Sequence, residues 1–177
     1  MAEKKFCVRI DGECPHEISK TKKNCFIIMA YEESHSKEIE KILKKAIKSI
    51  LKLKPILAKH IKHSGSTDLY CTKVCKPIKE ATYCIADLTY NNTNVGFEVA
   101  VANSFDKPVI ITRYTPKKLK IKPGDENVLK KLKHKGAIQY SEIPNKISGD
   151  FGGLLRIDYN SERELKQKLK EAFEIKK

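Results

Sequence analysis

Residues 84–112 read CIADLTYNNTNVGFEVAVANSFDKPVIIT. Two short apolar runs, Tyr83 to Ala86 and Pro108 to Thr112, bracket an Asn-rich turn and a segment from Asn94 to Phe105. In that segment Val95, Phe97, Val99, Ala100, Val101 and Ala102 surround a single carboxylate, Glu98. Short apolar runs bounded by turn formers are strands buried on both faces, and the intervening segment is long enough for a helix. A strand, a crossover helix and a second strand make a parallel pair with a right-handed connection.

The same alternation extends in both directions. Cys25 to Ala30 is a first buried strand, after which Ile39, Ile42, Leu43, Ala46, Ile47, Ile50 and Leu51 recur at spacings of three and four. That stripe predicts an amphipathic helix of about 18 residues, with Ser36 as its N-cap. Pro55 to Ala58 is a second strand, and the loop HSGSTD at 63–68 leads into a helix that starts at Thr67 or Asp68 and runs to about Ala81. Near the C-terminus Leu154 to Tyr159 is a last strand, and Ser161-Glu162-Arg163-Glu164 matches a capping box opening a helix with Leu165, Leu169, Ala172 and Phe173 on one stripe. The fold class is therefore α/β, a flavodoxin- or Rossmann-like three-layer αβα arrangement around a mainly parallel sheet of about five strands. One domain covers 24–177, with a Cys-containing extension at 1–23 and a Lys-rich insertion at 114–153 that carries a short helix over 126–133.

The chain carries 36 basic and 22 acidic residues, a formal charge of +14. Nearly all of the cations are lysines, with Arg only at Arg9, Arg113, Arg156 and Arg163. Arginine is the usual residue for bidentate phosphate and base recognition, so sequence-specific nucleic-acid binding is not favoured. An RNA-associated role would rest on Lys117, Lys118, Lys120, Lys122, Lys130, Lys131, Lys133 and Lys135 of the insertion and would show a steep salt dependence. No apolar run reaches the length of a membrane span and the N-terminus has no long apolar stretch, which points to a cytoplasmic protein without a membrane partner. The Lys/Glu/Ile-rich composition suits a thermophile.

In a parallel α/β sheet, ligands sit beyond the carboxyl ends of the strands, where strand order reverses. Met29 and Tyr31 end the first strand, Asp87 and Thr89 the third, and Arg113 the fourth, while Asn92 and Asn94 open the helix that carries Glu98. Asn94 is placed to cap that helix, and the positive end of the helix dipole is expected to keep Glu98 ionised.

The series Ala86-Asp87-Leu88-Thr89, Asn92-Thr93-Asn94-Val95, Glu98-Val99-Ala100 with Ala102, and Lys107-Pro108-Val109-Ile110 resembles the signature ADLT…NPNVFYELGxAHxxxKPVI of the nucleoside 2-deoxyribosyltransferase-like superfamily, which is related in architecture to TIR domains. Phe26-Ile27-Ile28-Met29-Ala30-Tyr31 is similar to the FVMMPF first strand of that group. The resemblance implies that Glu98 is a nucleophile attacking C1′ of a nucleoside or nucleotide, that Asp87 assists it, and that Met29, Tyr31, Thr89, Asn92, Asn94 and Arg113 line or orient the ligand. It also implies a homo-oligomer, since related transferases build their sites across subunits, and no organic cofactor. Where the transferases carry Asp-x-Gly-Thr ahead of the acid, this chain reads Thr93-Asn94-Val95-Gly96, which turns the expectation from sugar exchange toward N-glycosidic hydrolysis. The alternative from another class is a non-catalytic nucleotide sensor or interaction module.

Six cysteines in such a chain raise a metal or redox role before a structural disulfide. Cys25 and Cys84 fall at strand starts and read as packing residues. Cys71 and Cys75 lie one helical turn apart, and with Cys7 and Cys14 of the extension, or His16 in place of one thiolate, they would make a tetrahedral site for zinc or an iron–sulfur cluster. A Cys7–Cys14 disulfide and inert thiols are the other states open to them.

Overall fold

The structure, a computed structural model, describes residues 18, 23–33, 35–61, 69–90, 92–115 and 155–174. Five strands form one sheet among these residues: β1 (Asn24–Ile28), β2 (Lys54–Leu57), β3 (Tyr83–Asp87), β4 (Val109–Tyr114) and β5 (Leu155–Tyr159), in the order β2-β1-β3-β4-β5. Every pairing is parallel. The helices are α1 (Ser36–Ala46), α2 (Lys76–Glu80), α3 (Thr93–Ser104) and α4 (Glu162–Glu174). This is the three-layer α/β fold expected from the alternation of apolar runs and amphipathic stripes.

The side-chain period of two divides the sheet's interior between two cores. On one face Cys25 and Ile27 of β1 and Met29 just past it, with Ile85, Ile110, Ile157 and Tyr159, pack against Ile39, Leu43 and Ala46 of α1, Ile47 just after it, and Leu165 and Leu169 of α4. On the other face Phe26, Ile28, Cys84, Ala86, Val109 and Ile111 pack against Val74 and Ile78 on the α2 side and Val95, Val99 and Ala102 of α3. Cys25 and Cys84 are fully buried on opposite faces, so both act as small apolar side chains.

Helix ends differ from expectation in informative ways. Ser36 is the first helical residue of α1, not its cap; its hydroxyl donates to the Ala30 carbonyl (2.7 Å) and accepts from the Glu33 amide (3.2 Å), fastening the β1–α1 turn. Beyond Ala46 the backbone widens into a π-helical turn, Ile47–Leu51, that ends at Lys52 in the left-handed region (φ 55°). A second π-helical turn, Cys71–Cys75, runs straight into α2, and Thr67 and Asp68 lie outside the described residues. At the end of α3 the Lys107 amide donates to the Ala102 carbonyl and the Asp106 amide to Asn103, a Schellman closure with Asp106 at φ 51° and Pro108 barring continuation. The capping box of α4 forms with a one-residue offset, Glu164 N–H meeting Ser161 Oγ (3.3 Å) while the Glu164 carboxylate reaches back to the Asn160 amide (2.9 Å).

β4 runs to Tyr114, and the Thr115 amide still donates to the Tyr159 carbonyl (2.7 Å), so sheet pairing persists where the insertion at 114–153 was expected to begin. Residues 116–154, including the helix expected over 126–133 and the insertion's lysines, and the extension residues Cys7, Cys14 and His16 lie outside the described residues. No helix among the described residues is long and apolar enough to cross a membrane.

Leu43 is fully buried between α1 and the sheet. Leu43→Ala should destabilise the fold by roughly 2–5 kcal/mol, read as a lowered denaturation midpoint with unchanged m-value.

Candidate functional site

With this strand order, β1 and β3 are neighbours whose following segments leave toward opposite faces, β1 to α1 and β3 to α3. The crevice opens between those two departures, at the carboxyl ends of β1 and β3.

Asn92 caps α3: its side-chain oxygen accepts from the amides of Asn94 (2.9 Å) and Val95 (3.4 Å). Asn94, expected to be the cap, is an exposed second helical residue. Glu98 therefore stands in the second turn and not the first. Dipole stabilisation fades within one turn, while Glu98 lies beside the buried stripe of Val95, Val99 and Ala102. Desolvation wins, and the Glu98 carboxyl is pushed up to about 7. The expectation of a permanently ionised acid gives way to one that titrates near neutrality.

Tyr31, half-buried just past β1, shares the crevice electrostatically with this acid. Burial, then the nearby Glu98 charge, push its phenol up to about 12 against backbone hydrogen bonds at Ala58 and Lys59. Lys59 also sits above its ring, with Nζ 5.0 Å from the centroid.

Asp87 occupies a different setting. It follows Ile85 by two residues and so faces the α1/α4 layer, whereas Glu98 belongs to the layer on the other side of the sheet. It is 4% exposed, accepts from the Thr89 amide (3.1 Å) and from Thr112 Oγ1 (3.4 Å), and is pushed up to about 6 by burial against those hydrogen bonds. Thr89 Oγ1 in turn accepts from the Tyr114 amide (2.8 Å). Asp87 and Thr89 thus lock the ends of β3 and β4 together.

Met29 is buried in the α1/α4 core. Arg113 lies toward β5, paired with Asp158 (3.2 Å), which also holds Arg156 (2.8 Å). Cys71 and Cys75 are both buried in the wide turn before α2. Among the described residues no three His, Cys, Asp or Glu side chains gather as a metal group, and Cys7 and Cys14 lie outside them.

Two groups at this edge carry no periodic or motif signal. Tyr90 Oη accepts from the His35 amide (2.9 Å), tying the β3 loop to the start of α1. Glu40 of α1 collects Lys44 (2.6 Å), Lys59 and His60 (3.3 Å) beside Tyr31. The only trace of the Glu40 cluster in the sequence is the basic strand end KPILAKH at 54–60, which supplies Lys59 and His60.

No family model matches the chain, and no curated protein matches it in sequence.

Because the raised acid binds its proton more tightly folded than unfolded, Glu98 makes stability fall as pH rises from about 4.5 to about 7. Glu98→Gln should flatten that slope and exceed the wild type by roughly 1–3 kcal/mol above pH 7 in chemical denaturation. Asn92→Ala should cost about 1 kcal/mol in the same assay at any pH.

Proposed function

We propose that this chain is a nucleoside- or nucleotide-binding protein of the nucleoside 2-deoxyribosyltransferase-like type that cleaves an N-glycosidic bond with Glu98 as nucleophile. The observation that supports this reading is a partly desolvated carboxylate on α3, the helix that departs from the β1/β3 switch point, whose charge is felt by the Tyr31 phenol just past β1. The motif residues around Glu98 supply its second support.

In the ionised form, Glu98 would attack C1′ of the sugar. The C1′–N bond breaks, the base departs with the electron pair and is protonated, and a C1′–O bond to Glu98 forms through an oxocarbenium-like transition state. Water then attacks C1′, its proton is released, and the Glu98 carboxylate leaves free. Tyr31, kept a neutral phenol by its surroundings, walls the site without adding a competing charge. Thr89 and Asp87, by fixing the β3–β4 edge, hold the turn from which α3 and its acid start. Asn92 sets the first turn of that helix.

The test is free-base release, by chromatography, from nucleosides, nucleoside monophosphates and NAD. Wild-type protein should release base, with a rate that rises with pH to a midpoint near 7 as Glu98 ionises, and Glu98→Ala should lower the rate by at least two orders of magnitude while remaining folded. Turnover retained in Glu98→Ala would remove Glu98 as nucleophile. Tight binding with the base intact after long incubation would assign the protein to the sensor class.

A further inference from the structure

The two walls of the crevice are stiffened separately. On the β1 side, the turn that carries Tyr31 is fastened at both ends: Ser36 Oγ donates to the Ala30 carbonyl (2.7 Å) and accepts from the Glu33 amide (3.2 Å), and the Ser36 amide donates to the Glu33 carbonyl (3.0 Å). A shift at His35, beside Ser36, is therefore carried to Tyr31. On the β3 side, Asn92 holds the first turn of α3. Its side-chain oxygen accepts from the amides of Asn94 and Val95, and its carbonyl accepts from the Gly96 amide (3.1 Å). Glu98 follows Asn94 by four residues, one turn further along the same helix.

Tyr90 joins these two units. It lies in the turn between β3 and α3, two residues before Asn92, yet its side chain packs against the core on the α1/α4 face, opposite to the face that α3 covers. Its hydroxyl accepts from the His35 amide (2.9 Å), a bond between residues 55 apart in the chain. His35 is held from the strand side as well. Its ring stands edge-on to Tyr114 (centroids 5.8 Å apart, planes at 63°), and its Nδ1 lies 3.6 Å from the Glu38 carboxylate, which accepts from Tyr114 Oη (3.0 Å). The Tyr114 amide in turn donates to Oγ1 of Thr89, the chain neighbour of Tyr90 (2.8 Å). His35, Tyr90, Thr89 and Tyr114 thus form a closed circuit over the carboxyl ends of β1, β3 and β4.

Resting, for its effect on turnover, on the nucleotide-cleaving reading above, we infer that Tyr90 is a positioning residue: by clasping His35 it fixes the separation between the turn that carries Tyr31 and the start of the helix that carries Glu98. Each wall is already braced by its own hydrogen bonds, so one bond between them couples the movements of both. Tyr90 acts through His35 and Asn92 and not on the reacting atoms. Covalent attack tolerates little displacement of the acid from C1′, so loosening the clasp acts on the chemical step more than on binding.

Tyr90→Phe keeps the ring and removes the oxygen that accepts from His35. Amide hydrogen exchange is measured residue by residue in wild type and variant at one pH. Exchange should quicken about three- to tenfold at His35 and, across the crevice, at Val95 and Gly96, while the amides of β1 and β3 keep their wild-type rates. A rise confined to His35 overturns the clasp, and so does an equal rise throughout the sheet, which is a general loss of stability. In base release the variant should lose about tenfold or more in kcat, with KM within about twofold of wild type. An unchanged kcat overturns the positioning role even where exchange quickens. Absence of base release from wild type removes the glycosidase reading instead, and the exchange pattern then decides by itself whether Tyr90 couples the two walls.

Discussion

The position of β1 between β2 and β3 is the constraint on which the other features depend. All five of its residues are buried, so both of its faces must be covered and both of its edges paired. Parallel pairing on each side then requires crossovers that leave in opposite directions, one helix for each face of the sheet. The divergence of α1 and α3 from adjacent strand ends follows, and with it the crevice. A crevice at this edge is a geometric by-product of closing two apolar cores around one strand.

Within that crevice, solvent exclusion outweighs the helix dipole. Glu98 is close enough to the start of α3 to suggest stabilisation of its charge, yet it lies one turn too deep for that effect and flanks the apolar stripe. Asp87 shows the same ordering of effects, since even hydrogen bonds from Thr89 and Thr112 do not offset its burial. Glu40 shows the opposite balance because three basic partners reach it. Partner count, more than location at a strand end, decides which acids of this edge remain ionised.

The same comparison gives the basic surface a structure that net charge conceals. Arg113 and Arg156 share Asp158, while Lys45 and Lys166 share Glu162. Exposed pairs of this kind contribute little stability each, typically well under about 1 kcal/mol. Their consequence is local: among the described residues they gather cations around single carboxylates, and the Glu40 cluster adjoins Tyr31 through Lys59.

Strand and helix order, the parallel sheet and the division of apolar residues between its two faces were legible in the chain, because burial imposes periods of two and 3.6 on the sequence itself. The position of Glu98 at the switch-point edge followed from the same patterns. Helix caps were less legible: Asn92 and Asn94 are equally able to cap, and only backbone geometry selects Asn92; Ser36 is drawn into the β1–α1 turn by the Ala30 carbonyl. Arg113 and Met29 do lie at the carboxyl ends of β4 and β1, but chain position could not show that Arg113 pairs with Asp158 and that Met29 packs into the core under α1. The protonation of Glu98 and the gathering of Lys44, Lys59 and His60 on Glu40 were decided by tertiary structure alone, since desolvation and through-space charge depend on which distant residues fill the surrounding volume, and no local spacing encodes that.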